Sequence, residues 1–301
     1  MKEKVSKSAF VAIVGKPNVG KSSLLNCLLG EKIAIVTSKP QTTRTRITGV
    51  LTRESCQFVF IDTPGFHKPL NKLSDYMDEA VTSSIHDVDI VLLLVEPSGG
   101  LNAAEKILID TIKACRAKKI LVINKIDLLK EKEKLYSRIN ELTLLCPFDA
   151  VIPVSVTEHD GVDRIFYELE HLAKPGVHYF PDDALTDQPE RVITAEILRE
   201  KLLLNLQQEI PHGTAVVIEK QREREDCSIV DIEAVIYCEK SSHKGMIIGK
   251  GGACLKKIAS EARRDIERFL GCKVNLQCWV KVKEDWRNSD NMIKNFGLRE
   301  S

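Results

Sequence analysis

Eight residues near the start of the chain, Gly15-Lys16-Pro17-Asn18-Val19-Gly20-Lys21-Ser22, fill every fixed position of the pattern G-x-x-x-x-G-K-[ST]. That spacing suits the gripping of nucleotide phosphates. The glycines let backbone N–H groups approach phosphate oxygens, Lys21 reaches the outer phosphates, and the Ser22 hydroxyl, with Ser23 beside it, faces a magnesium ion. Farther on, Asp62-Thr63-Pro64-Gly65 offers a carboxylate for the same metal and a glycine N–H for the terminal phosphate. Alone, D-x-x-G is usually a turn; here its weight comes from where it falls.

The flanking residues supply elements to hold these groups. An apolar run, Phe10 to Val14, precedes the first motif, and Leu24, Leu25, Leu28 and Leu29 follow it with helical spacing, giving strand, loop, helix. Ile47 to Leu51 and Phe58 to Ile61 read as strands, the second running straight into Asp62. Asp89 to Val95 is a strand and Ala103 to Cys115 an amphipathic helix, and Lys119 to Ile123 is a strand ending in Asn124-Lys125-Ile126-Asp127. Helical pattern returns from Leu128 to Leu145. A short strand, Ala150 to Val154, then meets Ser155-Val156-Thr157, and a last helix spans Val162 to Leu172. Continuous apolar strands alternating with helices predict an α/β domain whose mostly parallel sheet is covered on both faces, with ligands at the carboxyl ends of the strands. Every motif falls at such an end.

In this order the motifs resemble the five of a translation-factor-class GTPase, over roughly residues 8 to 173. The resemblance implies GTP and GDP as ligands and Mg2+ as cofactor, held by Ser22, Asp62 and a switch threonine. Thr42 and Thr43 are adjacent candidates, with Thr43 preferred. Lys21, Thr43, Asp62 and Gly65 are then the expected catalytic set. It also implies that Asp127 accepts from guanine N1–H and the exocyclic amine, a pairing adenine lacks, that Asn124 and Lys125 brace the loop and cover the base, and that the Val156 N–H meets guanine O6. Ser-Val-Thr departs from the more usual Ser-Ala-Lys, but the contact is to backbone. After D-x-P-G, where related enzymes carry a glutamine that orients the attacking water, stands Phe66, so slow intrinsic hydrolysis is expected. Asn18 matches the residue that binds K+ in GTPases substituted this way; the competing reading is a plain turn residue.

From Lys174 turn formers dominate, and 174–190 reads as a linker between a first domain at 1–173 and a second at 191–301. In the second, a helix from Val192 to Gln208 precedes strands Thr214 to Lys220 and Ser228 to Glu239, with Arg222 to Asp226 as an exposed turn between them. Then comes Ile248-Gly249-Lys250-Gly251-Gly252, followed by a basic amphipathic helix bearing Lys256 and Lys257 and by a strand from Lys273 to Val282. Between Lys240 and Lys283 eleven basic residues face three acidic ones, a net +8. The piece resembles a type II KH domain, a smaller α+β fold whose G-x-x-G loop clamps the backbone of about four nucleotides. The whole chain thereby resembles the Era family of bacterial GTPases. That implies binding of the 3′ end of 16S ribosomal RNA and assistance to 30S subunit maturation.

With 301 residues, 43% hydrophobic and 29% charged, the chain has the composition of a soluble globular protein of two domains. No apolar run approaches the roughly 20 residues that span a bilayer. Met1 to Lys4 are not followed by a signal-peptide core, so a cytoplasmic monomer is expected. Its basic surface allows at most peripheral contact with the inner face of the membrane. Nine cysteines without a C-x-x-C pair read as reduced thiols rather than a disulfide framework or zinc site. The histidines show no ligand spacing. Rival readings are a constitutive RNA-binding protein, a GTPase supporting transfer-RNA modification and a peripheral-membrane signalling GTPase.

Overall fold

The structure, a computed structural model, describes residues 5–66, 70–225 and 229–299. Met1 to Lys4, residues 67–69 of the segment after Asp62, and Asp226, Cys227 and Ser228 between the expected strands lie outside the described residues. The chain divides into two compact units. Residues up to Ala34, Thr43–Leu70 and Ser74–Asp187 form the first; Ile35–Thr42, Asn71–Leu73 and the chain from Gln188 form the second.

The first unit is built on β1 (Lys7–Gly15). Its residues alternate between two cores, Ala9, Val11 and Ile13 joining one and Ala12 and Val14 the other, which is why the strand reads as an unbroken apolar run. There follow α1 (Lys21–Leu29), β2 (Ile47–Arg53), β3 (Cys56–Asp62), α2 (Lys72–His86), β4 (Ile90–Val95), α3 (Ala103–Ala114), β5 (Lys118–Ile123), α4 (Lys132–Leu145), β6 (Ala150–Pro153), α5 (Val162–Leu172) and the two-residue β7 (Lys174–Pro175). The strand order is β2-β3-β1-β4-β5-β6, with β7 beside β1. β2 is antiparallel to β3 and β7 to β1, and the other pairs are parallel. α1 and α5 cover one face; α2, α3 and α4 cover the other.

In the second unit, α6 (Glu190–Asn205), β8 (Ala215–Glu223), β9 (Ile229–Cys238), α7 (Ser241–Ile248), α8 (Ala253–Leu270), β10 (Lys273–Val282) and α9 (Asp290–Asn295) follow in order. The sheet is β10-β9-β8, with β9 parallel to β10 and antiparallel to β8. Ile258, Ala262 and Ile266 recur every four residues of α8, so one helical stripe meets Ile197, Leu198 and Leu202 of α6 and the strands in a single core. Trp286 is fully buried and donates from Nε1 to the Gly213 carbonyl at 3.0 Å. Also inside this unit, Arg199 donates to the Gln41 carbonyl at 3.3 Å, and Lys39 caps the end of α6 at the carbonyls of Leu203 and Leu206.

Two local expectations are corrected. α4 starts at Lys132, not Leu128, because Ile126–Leu128 closes a tight turn that leaves Leu128 exposed. β8 continues through Arg222 and Glu223, which pair with Asp231 and Val230 rather than forming a turn. The stretch after Lys174 lacks helices but is tied down: buried Gln57 accepts from the Tyr179 and Phe180 N–H groups at 2.7 and 3.0 Å, and Thr186 Oγ1 donates to the Thr48 carbonyl at 2.6 Å. Among the described residues no helix is long and apolar enough to cross a membrane, and the described cysteines are free.

Candidate functional site

β1 ends at Gly15 and α1 begins at Lys21, so the loop between them is aimed by a buried strand and by the amino end of a helix. Three other chain segments press on this loop. A Cβ on Gly65 would lie 2.7 Å from Pro17 Cα, one on Gly20 would lie 2.3 Å from Asn124 Nδ2, and one on Gly15 would meet the Leu94 carbonyl at 2.4 Å. These glycines are required by close packing of the loop against its neighbours. Phe66 N–H donates to the Gly15 carbonyl at 3.2 Å, while the Phe66 ring packs against the apolar core between the sheet and α2, α3 and α4. Thr63 is buried, with Oγ1 donating to the Ile13 carbonyl at 2.8 Å, and Pro64 is buried beside it.

Ser22, Thr43 and Asp62 converge. Ser22 Oγ donates to Asp62 Oδ2 at 2.6 Å and lies 2.9 Å from Thr43 Oγ1, which is 3.4 Å from the same carboxylate oxygen. The other oxygen, Asp62 Oδ1, is buried with no hydrogen-bond partner. A carboxylate with one orphaned oxygen, flanked by two hydroxyls, is a hard-oxygen donor set of the kind Mg2+ prefers. The threonine alternatives separate here: Thr42 Oγ1 turns to Thr37 Oγ1 and the Lys39 carbonyl, at 2.7 and 2.6 Å. Burial pushes Asp62 up to about 6, against the pull of Lys21 and the hydrogen bonds from Ser22 and Thr43. Burial likewise brings Lys21 down to about 8, with Asp62 opposing. The Lys21 ammonium donates to the Gly15 and Lys16 carbonyls of its own loop at 3.2 and 3.0 Å.

Asn124, at the end of β5, ties two loops together. Its Nδ2 donates to the Val19 carbonyl at 2.8 Å, and its Oδ1 accepts from the Val156 N–H at 3.2 Å. Lys125 donates to the Asn18 carbonyl at 2.7 Å and pairs with Glu96, a partner no sequence pattern pointed to. Asp127 is exposed, and one carboxylate oxygen accepts from Ser155 Oγ at 2.6 Å; Ser155 Oγ is 3.2 Å from Thr157 Oγ1. Ser155 therefore aims Asp127 and leaves its second oxygen for a ligand. Ser23 is half-buried in the first turn of α1.

The glycine loop of the second unit is built differently. Gly249 is packed, since a Cβ there would come within 2.7 Å of Cys254 Cβ. Gly251 and Gly252 have φ of +58° and +80° with nothing within 4 Å of an added Cβ: left-handed backbone beside open space. Lys250, Lys256 and Lys257 are exposed, whereas Ile248 is half-buried against the core. The loop thus presents bare backbone, a helix N-terminus and three ammonium groups to an anionic chain.

A family model described as a 50S ribosome-binding GTPase matches residues 10–125, and a KH domain model matches residues 209–287. A curated relative named GTPase Era from Ruminiclostridium cellulolyticum is 50% identical over 293 residues, covering 97% of this chain and 98% of that protein. The GTPase Era of Clostridioides difficile is 49% identical over 294 residues, covering 98% and 99%. Among solved structures, a point variant of Aquifex aeolicus Era bound to GDP.AlF4- superposes with a TM-score of 0.93 at 35% identity, over 98% of this chain and 100% of that one. Era in complex with MgGDPNP and nucleotides 1506-1542 of 16S ribosomal RNA superposes with a TM-score of 0.94 at 34% identity, with the same coverage.

Proposed function

The chain belongs to the Era GTPase family, and from that premise we propose that it binds and hydrolyses GTP as a switch governing its grip on the 3′ end of 16S ribosomal RNA, assisting maturation of the 30S subunit. The observation that carries the reading is the convergence of Ser22, Thr43 and Asp62 around an orphaned carboxylate oxygen, in one chain with an open, basic glycine loop. Ser22, Thr43 and Asp62 would hold Mg2+, which when bound supplies positive charge against the phosphates. The loop from Gly15 to Ser22 takes the phosphates, with Lys21 exchanging its carbonyl partners for phosphate oxygens. Asp127, aimed by Ser155, selects guanine, and Asn124, Lys125 and the Val156 N–H frame the base. In the second domain, the loop from Ile248 to Gly252 with Lys256 and Lys257 takes the RNA backbone.

Phe66 donates only its backbone N–H, so its side chain does not orient water, and slow intrinsic turnover follows. The charge an arginine finger would bring is assigned to K+ at Asn18. Hydrolysis should then fall when Na+ replaces K+, and Asn18→Ala should abolish that difference. The switch reading is supported by Ile35–Thr42 packing within the second compact unit while Thr43, one residue on, stands at the metal-ligand cluster. Ligand-driven movement of Thr43 therefore pulls directly on that segment. The working form is a cytoplasmic monomer.

The test measures affinity for a single-stranded RNA of the 16S 3′ end in the presence of GDP and of a non-hydrolysable GTP analogue. A clear difference in affinity is expected; equal affinities would overturn the switch and leave a constitutive RNA binder.

A further inference from the structure

Lys16, the first residue after β1, does not point at the phosphate cradle. Its Nζ lies 3.3 Å from Oε1 of Glu105, in the first turn of α3, whose own N–H is capped by Asn102 Oδ1 at 2.9 Å. Glu105 is 1% exposed, and the same Oε1 accepts from Nη2 of Arg138 on α4 at 2.8 Å; Arg138 is 4% exposed and gives Nη1 to Glu141 at 2.6 Å. One buried carboxylate oxygen thus gathers a guanidinium and the ammonium of the phosphate loop. The chain of contacts goes on through the backbone, because the Lys16 carbonyl is one of the two that receive Lys21.

Stability alone does not explain this arrangement. Glu105 Oε2 and Arg138 Nε are buried without partners, and an unmatched buried polar atom costs about 1–3 kcal/mol. Apolar side chains of similar volume would fill the space between α3 and α4 at least as well. What the pair does provide is a fixed anchor, outside the cradle, for the side chain of the loop's second residue. It orients the peptide that must turn its N–H toward phosphate and keeps a second ammonium away from Lys21.

We infer that Glu105, held by Arg138, is a positioning residue of the nucleotide site that acts through Lys16 on the phosphate loop. The inference rests on the nucleotide-binding reading of that loop. It makes Glu105 and Arg138, which belong to no sequence motif, determinants of nucleotide affinity.

A double-mutant cycle on the full chain tests it, with Lys16→Met, Glu105→Gln and their combination measured for GDP affinity with a fluorescent GDP and for kcat/KM with GTP. Each single change should weaken GDP binding about 3–10-fold, with the combination no worse than either alone, which is a coupling of that same size. Multiplicative losses would overturn the inference. A second variant, Glu105→Met with Arg138→Met, removes both buried charges together. It should recover the thermal stability lost in Glu105→Gln yet bind GDP only as well as Lys16→Met. Recovery of both properties would reduce Glu105 to a counter-charge for Arg138 and refute the positioning role. Failure of the underlying site reading looks different: the native chain would bind no GDP, or Lys21→Ala would bind it as well as native, and the positioning role would go with it.

Discussion

Removing the Asn124 side chain should loosen the nucleotide site before any nucleotide is present. Asn124 is 3% exposed and spans two loops, donating to the Val19 carbonyl at 2.8 Å and accepting from the Val156 N–H at 3.2 Å. Val19 and Val156 are themselves buried, so Asn124→Ala strands one carbonyl and one N–H. At about 1–3 kcal/mol for each unpaired buried group, with some relief from water entering the gap, the loss is about 2–4 kcal/mol. For a unit of about 150–250 residues, which loses about 2–4 °C per kcal/mol, this lowers Tm by about 5–15 °C. Calorimetry on the nucleotide-free protein reads it. Asn124→Asp sharpens the test. It keeps the acceptor for Val156 but replaces the Nδ2 donor with a carboxylate oxygen facing the Val19 carbonyl, so it should be at least as damaging as alanine. A Tm within about 1 °C of native for Asn124→Ala, or an aspartate variant more stable than the alanine one, would show that the two hydrogen bonds do not hold these loops together.

The Asp62 carboxyl sits at about 6 rather than 3.8, so the folded chain binds that proton more tightly than the unfolded chain does. Stability of the nucleotide-free, Mg2+-free protein should therefore fall as pH rises from about 4 through 6. Asp62→Asn lacks this proton, so its unfolding free energy relative to native should climb across that range by up to about 3 kcal/mol; a constant offset would sink the assignment. In the second unit, Trp286→Ala should cost about 3–5 kcal/mol by emptying a fully buried site and stranding the Gly213 carbonyl, read as loss of the cooperative unfolding transition of that unit. Lys250→Ala should weaken binding of every single-stranded RNA alike and flatten the plot of log affinity against log salt by about 0.7, the share of one phosphate contact. An unchanged slope would take Lys250 off the RNA backbone.

Most of the first domain is legible in its sequence because buried parallel strands and phosphate loops leave contiguous signals. β4 is six apolar residues, all buried, and every nucleotide motif except the switch threonine lies at the carboxyl end of a strand. α2 is not legible. Its buried residues Leu73, Met77, Val81 and Ile85 recur once per turn, a stripe too narrow to stand out in an otherwise polar stretch. Gln57 likewise looks like an ordinary strand polar residue, and only its three hydrogen bonds to Tyr179 and Phe180 show that it straps the following segment to the sheet. Glu105 and Arg138 are hidden for the same reason: on amphipathic helices a charged residue reads as solvated, and its burial depends on a partner distant in sequence. What single-chain patterns miss are pairings across elements, which carry the geometry of the site but no periodicity.

Two glycine-bearing loops of this chain are the proposed anion sites, and the physics of their glycines differs enough to separate the ligands proposed for them. In the nucleotide loop, Gly15 and Gly20 are glycine because neighbours already fill the space where a Cβ would stand, and the loop's polar groups already bond to one another: Lys21 to its own loop carbonyls, Ser22 to Asp62. Nucleotide binding as proposed there exchanges these internal partners for phosphate and metal, at groups of which Lys21 and Asp62 are buried. Its strength therefore depends on geometry within a few tenths of an ångström and on Mg2+, and only weakly on bulk salt. Gly251 and Gly252 contact nothing where a side chain would be, and Lys250, Lys256 and Lys257 stand in solvent. RNA binding there adds contacts rather than trading them, drawing on released counterions, so it should fall steeply with salt. Alanine at Gly20 must displace Asn124 and dismantle the clamp from within, while alanine at Gly252 strains a left-handed residue by about 1 kcal/mol, leaves the fold standing and occupies the space the RNA backbone needs.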